Sequence, residues 1–336
     1  MRERELELFK KLLRENCNLA DVSGTLKALK IPFSAGSWND LFEKRLEPAI
    51  RDGKIGREQL LRLIRDGEEY GTQHIFLFGT AARNAASVIN ENYVRRELSR
   101  LDRMDLLENP PLLDQPKDLA LADVRFEQRG QERCLIVKAI EQRTYERFVG
   151  QRDESASRFI REYERFTVRA VNVVRLHPNG LLEIRIYSHR NTSDYEADLS
   201  TMWDKINFLI PTRGFDPVSI SKAKRYLWTK RASLKGIIRY TSSSLRDPSG
   251  DTVAASSAGG QQSLFNNPRA AASIDAFYGD DTMCDRSNIW WEKRDPAPSK
   301  DVHTLLGGAI NEFALTAQCG RDDYEYVLEG ILKANE

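Results

Sequence analysis

Residues 167–189 read TVRAVNVVRLHPNGLLEIRIYSH, two apolar arms about a Pro-Asn-Gly corner. The first arm carries Val168, Ala170, Val171, Val173, Val174 and Leu176 at both parities, as a strand buried on both faces requires. The second alternates, Leu182, Ile184 and Ile186 against Glu183, Arg185 and Tyr187. Pro178 presets φ for a turn, and Asn179-Gly180 accept the positive φ that follows. The stretch predicts a β-hairpin at the centre of a sheet.

Upstream, residues 124–141 form a second hairpin: Val124 and Phe126, a turn near Arg129-Gly130, then Cys134-Leu135-Ile136-Val137. Residues 151–165, thinly apolar with Phe159, Ile160 and Tyr163, read as helical. Downstream, Leu199, Met202, Trp203, Ile206, Leu209 and Ile210 recur at helical spacing behind Asp198. Asp216-Pro217 reads as a cap with proline at the first helical position, opening a helix over 218–228. Residues 236–242, 287–293 and 309–317 are strand candidates. The Ser/Gly/Ala-rich residues 246–263 read as a flexible insertion, with Gly259-Gly260 inside it. Tyr324, Val327, Leu328 and Ile331 give a closing helix one apolar face.

Residues 1–108 read as all-helical. Leu6, Phe9, Leu12 and Leu13 share one face of a first helix, and Asp21 is placed to cap a second that ends at Ile31-Pro32. Further helices follow around Leu41 to Leu46, Leu60 to Ile64 and over 87–101, with Pro48 or Gly53 as an interruption. Residues 70–79, YGTQHIFLFG, are too apolar for a surface loop. Residues 109–118, NPPLLDQPKD, with three prolines in ten positions, read as a linker. The fold class is α+β: an N-terminal all-helical bundle, then over 119–336 a mixed α/β domain built on antiparallel hairpins.

The chain has 336 residues, 40% hydrophobic and 30% charged, with a net charge of +1. That is long enough for two cores, and total charge selects no partner. Cys17, Cys134, Cys284 and Cys319 form no close pair, which suits reduced thiols in the cytoplasm or nucleus rather than a disulfide framework. The opening residues carry no signal-peptide core, and no apolar run approaches the roughly 18 residues of a membrane span.

Charge is uneven along the chain. Residues 213–246 hold nine basic side chains and one acid, Asp216, while acids dominate after Ala270. Lys222, Lys224, Arg225, Lys230, Arg231, Lys235 and Arg239, interleaved with Tyr226, Trp228 and Tyr240, suit phosphate contacts beside a stacking platform, with duplex DNA as the partner. The same pattern also suits an internal match to the acidic C-terminal part, or a solvated helix face over core aromatics.

Catalytic signatures are missing. His74, His177, His189 and His303 show no metal-ligand spacing, and GxSxG, GxxxxGK[ST] and GxGxxG do not occur. His74 reads as a hydrogen-bonded core residue and His177 as a turn residue. The remaining enzyme reading is a metal-dependent nuclease using Glu183 with Asp123 or Glu141, although Arg185 stands where such sites use lysine. The reading preferred is a non-catalytic, intracellular binding or adaptor protein without cofactor or metal, contacting nucleic acid and a protein partner. A pure protein-interaction scaffold is the third.

The layout also resembles the CENP-N family of kinetochore proteins. RERELELFKK (2–11) is similar to that family's charged opening helix, and residues 57–78 to its last N-terminal helix and aromatic segment. VRFEQRGQERCLIVK (124–138) is similar to its first hairpin, and residues 290–332 to its closing unit. The resemblance implies a pyrin-like helical domain followed by a mixed α/β domain. It further implies a non-enzymatic adaptor that touches nucleosomal DNA and histone and pairs with a related partner through its C-terminal part. Glu3 and Glu7 would meet the protein partner, with Lys10 and Lys11 on DNA. NPPLLDQPKD lacks the lysine-rich run of that family, and residues 246–263 have no counterpart in it.

Overall fold

The computed structural model describes residues 3–130, 132–155, 157–190, 195–258, 261–279 and 281–336. Of the residues in the stretches discussed above, Arg2, Gln131, Ala156, Gly259 and Gly260 lie outside these. The fold is α+β with antiparallel strand pairing, and the chain divides into two compact units, Met1–Gly79 with Phe215–Glu336, and Thr80–Gly214. Residues 109–118 therefore lie inside the second unit.

The first unit opens with helices. In α1 (Glu3–Asn16), Phe9, Leu12 and Leu13 are buried on one face. The α2 helix (Leu19–Ala28) is capped by Asn18, whose side chain accepts from the Asp21 amide. The cap thus lies three residues ahead of the aspartate expected to supply it. From α3 (Trp38–Leu41) the chain runs through a π-helical turn (Phe42–Leu46) into α4 (Glu47–Arg51). Pro48 does not break this run, because the wider turn ahead of it takes up the missing amide and the ring's bulk. Then α5 (Arg57–Glu68) buries Leu60, Leu61, Leu63 and Ile64.

The helical run ends there rather than at residue 108. Gly71–Gly79 is a strand, β1, and its partner β11 (Glu312–Gln318) comes from the far end of the sequence, with Gly71 opposite Gln318 and Phe76 opposite Glu312. The β-branched and aromatic content of TQHIFLF favours this over helix once a partner strand exists. Asp216–Pro217 pairs with the end of β1 as a two-residue strand, β6, and α10 starts only at Ser221, running to Thr229. Outward from β11 come β10 (Val302–Leu306), β9 (Met283–Trp291), β7 (Ile238–Arg246) and β8 (Thr252–Ser256), each antiparallel to its neighbour. The expected flexible insertion is thus in part a hairpin: Ser242–Arg246 pairs with Thr252–Ser256 about a turn with Gly250 at φ +93°. Small polar residues that cannot build a core still fill ladder positions on an edge strand. After α11 (Pro268–Phe277), α12 (Arg321–Ala334) closes the unit. Tyr324 meets Tyr70, and Trp291 lies so near Gly330 that a Cβ there would sit 2.6 Å from its ring.

The second unit carries α6 (Ala82–Ile89) and α7 (Glu91–Arg100), separated at Asn90, which caps α7 from extended backbone. A short α8 (Asp105–Glu108) follows. Four strands then pair in sequence order: β2 (Ala120–Arg129), β3 (Glu132–Ser155), β4 (Arg158–Leu176) and β5 (Leu181–Tyr187). Both predicted hairpins are present. Residues 151–155 and 158–165 are strand, not helix: Phe159, Ile160 and Tyr163 imitate helical spacing, but the register sets them across from Asp153, Arg152 and Phe148. Residues 109–118 strap the base of β3 and β4 rather than link domains, with Pro116 O accepting from the Gln142 amide (2.7 Å) and Leu113 O from Arg169 Nε (3.2 Å). The α9 helix (Glu196–Ile206) follows β5 and buries Met202 and Ile206.

Gly180 closes the β4–β5 turn at φ +98°, and a Cβ there would stand 2.0 Å from the Thr80 carbonyl oxygen. Only glycine fits that backbone and that contact. Among the described residues, no helix is long and apolar enough to cross a membrane.

Candidate functional site

The strands β3 and β4 change character along their length. Between Ala170 and His177, β4 is buried on both faces, as the sequence predicts. The expected polar face of β5 is buried too: Glu183 is 0% exposed, and Arg175 and Arg185 are each 1% exposed. Register places Arg125, Ile136, Arg175 and Glu183 in one row, with Asp123, Lys138, Val173 and Arg185 in the next row of the same face. Buried charges persist only when paired, and these are. Arg175 Nε donates to Glu183 Oε1 (2.6 Å), Arg185 Nε lies 3.9 Å from Oε2, and Arg125 spans Asp123 (2.8 Å) and Glu127 (2.7 Å).

His177 joins this row as more than a turn residue. Its Nε2 lies 2.5 Å from Glu183 Oε1, and its Nδ1 faces Cys134 Sγ at 3.6 Å. Burial opposes its positive charge, but the hydrogen bonds with Cys134 and Glu183 and the Glu183 charge raise its pKa to about 9. Burial also disfavours the Glu183 carboxylate, yet Arg175, His177 and Arg185 together hold it well below the usual carboxylate range. Sequence spacing gave no hint of this chain of groups, because Cys134 and His177 are 43 residues apart. The signal that could have found it is register: Leu135 pairs with Leu176, so the next residues outward meet at the same sheet end.

Those residues also discriminate between chemistries. The nuclease reading needs acids that share one water-filled locus. Glu183 is clamped by arginines in the interior, Asp123 is held by Arg125, and Glu141, bound by Arg143 (2.7 Å), lies on the opposite face of the sheet. Two other thiols are quiet. Burial pushes Cys17 up to about 12, and burial raises Cys284 against the hydrogen bonds of Ser287 and Ser243. An open cleft of about 590 Å³ lies beside the rim, lined in part by Asn90, Glu91, Asn92, Glu132, Arg133 and Pro178.

Beyond Ile140 and Ala170 the strands leave the sheet. Among the described residues no third strand pairs with either arm there, and β3–β4 continues as a two-stranded ribbon to Ser155 opposite Arg158. Twelve or so residue pairs at about 3.3 Å each make it roughly 40 Å long. The register puts Phe148, Tyr163 and Phe159 on one face, with Arg161 and Arg165 between and beside them. Phe148 and Tyr163 meet edge to face at 5.8 Å, and the three rings are 52–54% exposed. Residues 144–167 carry five arginines and five acids. Several are paired, among them Arg147 with Glu164, Arg165 with Glu146 (3.0 Å) and Arg158 with Glu154 (2.8 Å).

The basic stretch is divided by the fold. Trp228 and Tyr240 are core residues, 0% and 2% exposed, packed edge to face at 5.4 Å. Lys224 is buried, with its pKa lowered chiefly by burial, so it is not part of a phosphate-facing surface. Arg231 pairs with Asp275, Arg239 with Asp301 (3.0 Å) and Glu292 (3.9 Å), and Arg246 with Asp285. The acidic C-terminal part therefore answers three of these arginines. Lys222, Arg225, Tyr226, Lys230 and Lys235 are exposed. On α1, Glu3, Glu7 and Lys11 are exposed, while Lys10 lies between Glu7 (2.6 Å) and Glu47 (2.7 Å). His74 sits against Glu312, His189 against Asp198 (2.6 Å), and His303 stacks on Trp290.

No family model matches the chain, and no curated protein matches it.

Proposed function

We propose that this protein is a non-catalytic adaptor that assembles through the β3–β4 ribbon, with a second copy of the chain as the protein partner. The carrying observation is the row of half-exposed Phe148, Tyr163 and Phe159 on a ribbon that no third strand joins among the described residues. A two-stranded ribbon is marginal on its own in water, and covering an aromatic face is the usual way such an element gains stability. Equal numbers of arginines and acids over 144–167 disfavour a phosphate backbone and favour a self-complementary, two-fold partner. A face about 40 Å by 10 Å gives about 800 Å² in total, at the low end for specific pairs. The dimer is therefore weak and concentration-dependent.

Sedimentation velocity of the full chain from micromolar to hundreds of micromolar tests this. A rising sedimentation coefficient is expected, lost in Phe148→Asp/Tyr163→Asp with the melting temperature unchanged. A monomer throughout, or a dimer indifferent to both substitutions, overturns it.

Contact with duplex nucleic acid is the second reading, supported by the exposed Lys222, Arg225, Tyr226, Lys230 and Lys235 on and just after α10. Gel shifts at low and moderate salt, with Lys222, Arg225 and Lys230 changed to Glu, test it. The CENP-N-like assignment and a pyrin-like arrangement of the first helices belong to the same proposal. Their support is the helical run from Glu3 to Glu68 ahead of the first strand, and the two hairpins after it. Four free cysteines support an intracellular, reducing setting.

A further inference from the structure

The end of the β2–β5 sheet brings together three side chains of different donor class. Glu132 is exposed, Cys134 and His177 are buried, and a carboxylate oxygen, Sγ and an imidazole nitrogen of the three lie within 4.8 Å of one another. It is the one such trio among the described residues. We propose that Glu132, Cys134 and His177 bind a single divalent transition-metal ion of the zinc class.

Two features of this column suit a metal ion, beside the thiol–imidazole hydrogen bond it already makes. The first is spacing. A tetrahedral ion held at about 2.3 Å by sulfur and about 2.0–2.1 Å by nitrogen sets those two atoms about 3.6 Å apart. The Cys134 Sγ to His177 Nδ1 distance is 3.6 Å. The second is what stands behind the histidine. Histidines that bind metals commonly give their other N–H to a carboxylate, which fixes the tautomer and makes the ligating nitrogen more basic. His177 directs Nε2 at Glu183 Oε1, 2.5 Å away, which leaves Nδ1 as the nitrogen facing Cys134, open to an ion that displaces its proton. Arg175 in turn holds Glu183, at 2.6 Å, which fixes the orientation of the whole column.

The donor set also selects the ion. Thiolate and imidazole favour zinc and its neighbours over magnesium or calcium, which take oxygen ligands. The exposed Glu132 brings a carboxylate oxygen within 4.8 Å of the buried pair. Three protein donors leave one tetrahedral position to solvent, on the exposed Glu132 side.

The test uses the full chain, stripped with chelator and titrated with Co²⁺ and then Zn²⁺. The expected result is one ion per chain and a thiolate-to-cobalt charge-transfer band that Zn²⁺ displaces. Cys134→Ser removes the band, whereas Cys17→Ser, Cys284→Ser and Cys319→Ser keep it. Because Cys134 is buried, Glu132→Ala supplies an independent arm: this surface change leaves the melting temperature of the stripped protein unchanged and weakens the metal at least tenfold. Failure to bind either ion at tens of micromolar, a band that survives Cys134→Ser, or unchanged affinity in Glu132→Ala each overturns the site. A monomeric protein that still shows the band would reject the ribbon dimer without touching this proposal.

Discussion

The inner and outer halves of one strand pair carry similar residues in opposite circumstances. Near the sheet, Arg175, Arg185 and Glu183 are removed from water. Along the ribbon, Arg147 with Glu164 and Arg165 with Glu146 face solvent, their side chains 55–73% exposed. A solvated pair gains little beyond what water already supplied and contributes about 0–1 kcal/mol. A desolvated pair need not stabilise on balance, but losing one member leaves an uncompensated charge in the interior. The same arginine and glutamate letters therefore specify the position of β5 in one half and only keep the ribbon soluble in the other.

The sharpest way to break that contrast is Glu183→Ala. It strands Arg175, His177 and Arg185, and an expected loss of about 3–5 kcal/mol should appear in urea unfolding. Glu183→Gln keeps the shape and some hydrogen bonds, and should fall between that and wild type.

Next in size is a pH effect. His177 binds its proton more tightly when folded, at about 9, than an unperturbed histidine does, at about 6.5. Its contribution is complete below pH 6.5 and is lost as pH rises to 9, at most about 3 kcal/mol. Measured in chelator, wild-type stability should decline across that window more steeply than that of His177→Gln. The Glu183 carboxylate works in the other direction, since its depressed pKa withdraws stability only as pH falls below about 4.5.

Gly180→Ala tests the turn that joins the buried strands. Left-handed backbone and a Cβ facing the Thr80 carbonyl oxygen should together cost about 1–3 kcal/mol by thermal unfolding. The smallest effect is expected in the outer half, where Glu164→Ala should change stability by less than about 1 kcal/mol. A large loss there would mean that the ribbon is held in a fixed setting even in the monomer.

The central hairpin was legible because two-sided apolarity followed by a Pro-Asn-Gly corner has few other readings. The closing helix and the Asp198 helix were legible for the same reason, since their apolar spacing has one period. What failed was long-range or ambiguous. Residues 71–79 pair as a strand with Glu312–Gln318 and, at their end, with Asp216–Pro217, and no local pattern contains either partner. The ribbon's Phe159, Ile160 and Tyr163 fit two periods at once, and only cross-strand register decides between them. Val302–Leu306 is five residues long and escaped notice. For the site, Glu183 and Arg185 looked like an exposed alternating face because composition does not reveal that both sides of a sheet are covered. Cys134 and His177 looked solitary because each has its partner in another hairpin.

The pairing of β1 with β11 has a consequence for synthesis. The first unit is interrupted by the second, so the ribosome must add about 240 residues after Gly79 to reach Gln318. At about 5–20 residues per second, that is an interval of roughly 10–50 s. Throughout it, residues 80–214 can fold from contiguous chain, whereas the apolar segment IFLF must wait for its C-terminal ladder. A nascent strand so rich in hydrophobic side chains is a site for wrong pairing. Slow translation, or a stop before residue 312, should therefore leave a well-formed second unit attached to a first unit that aggregates.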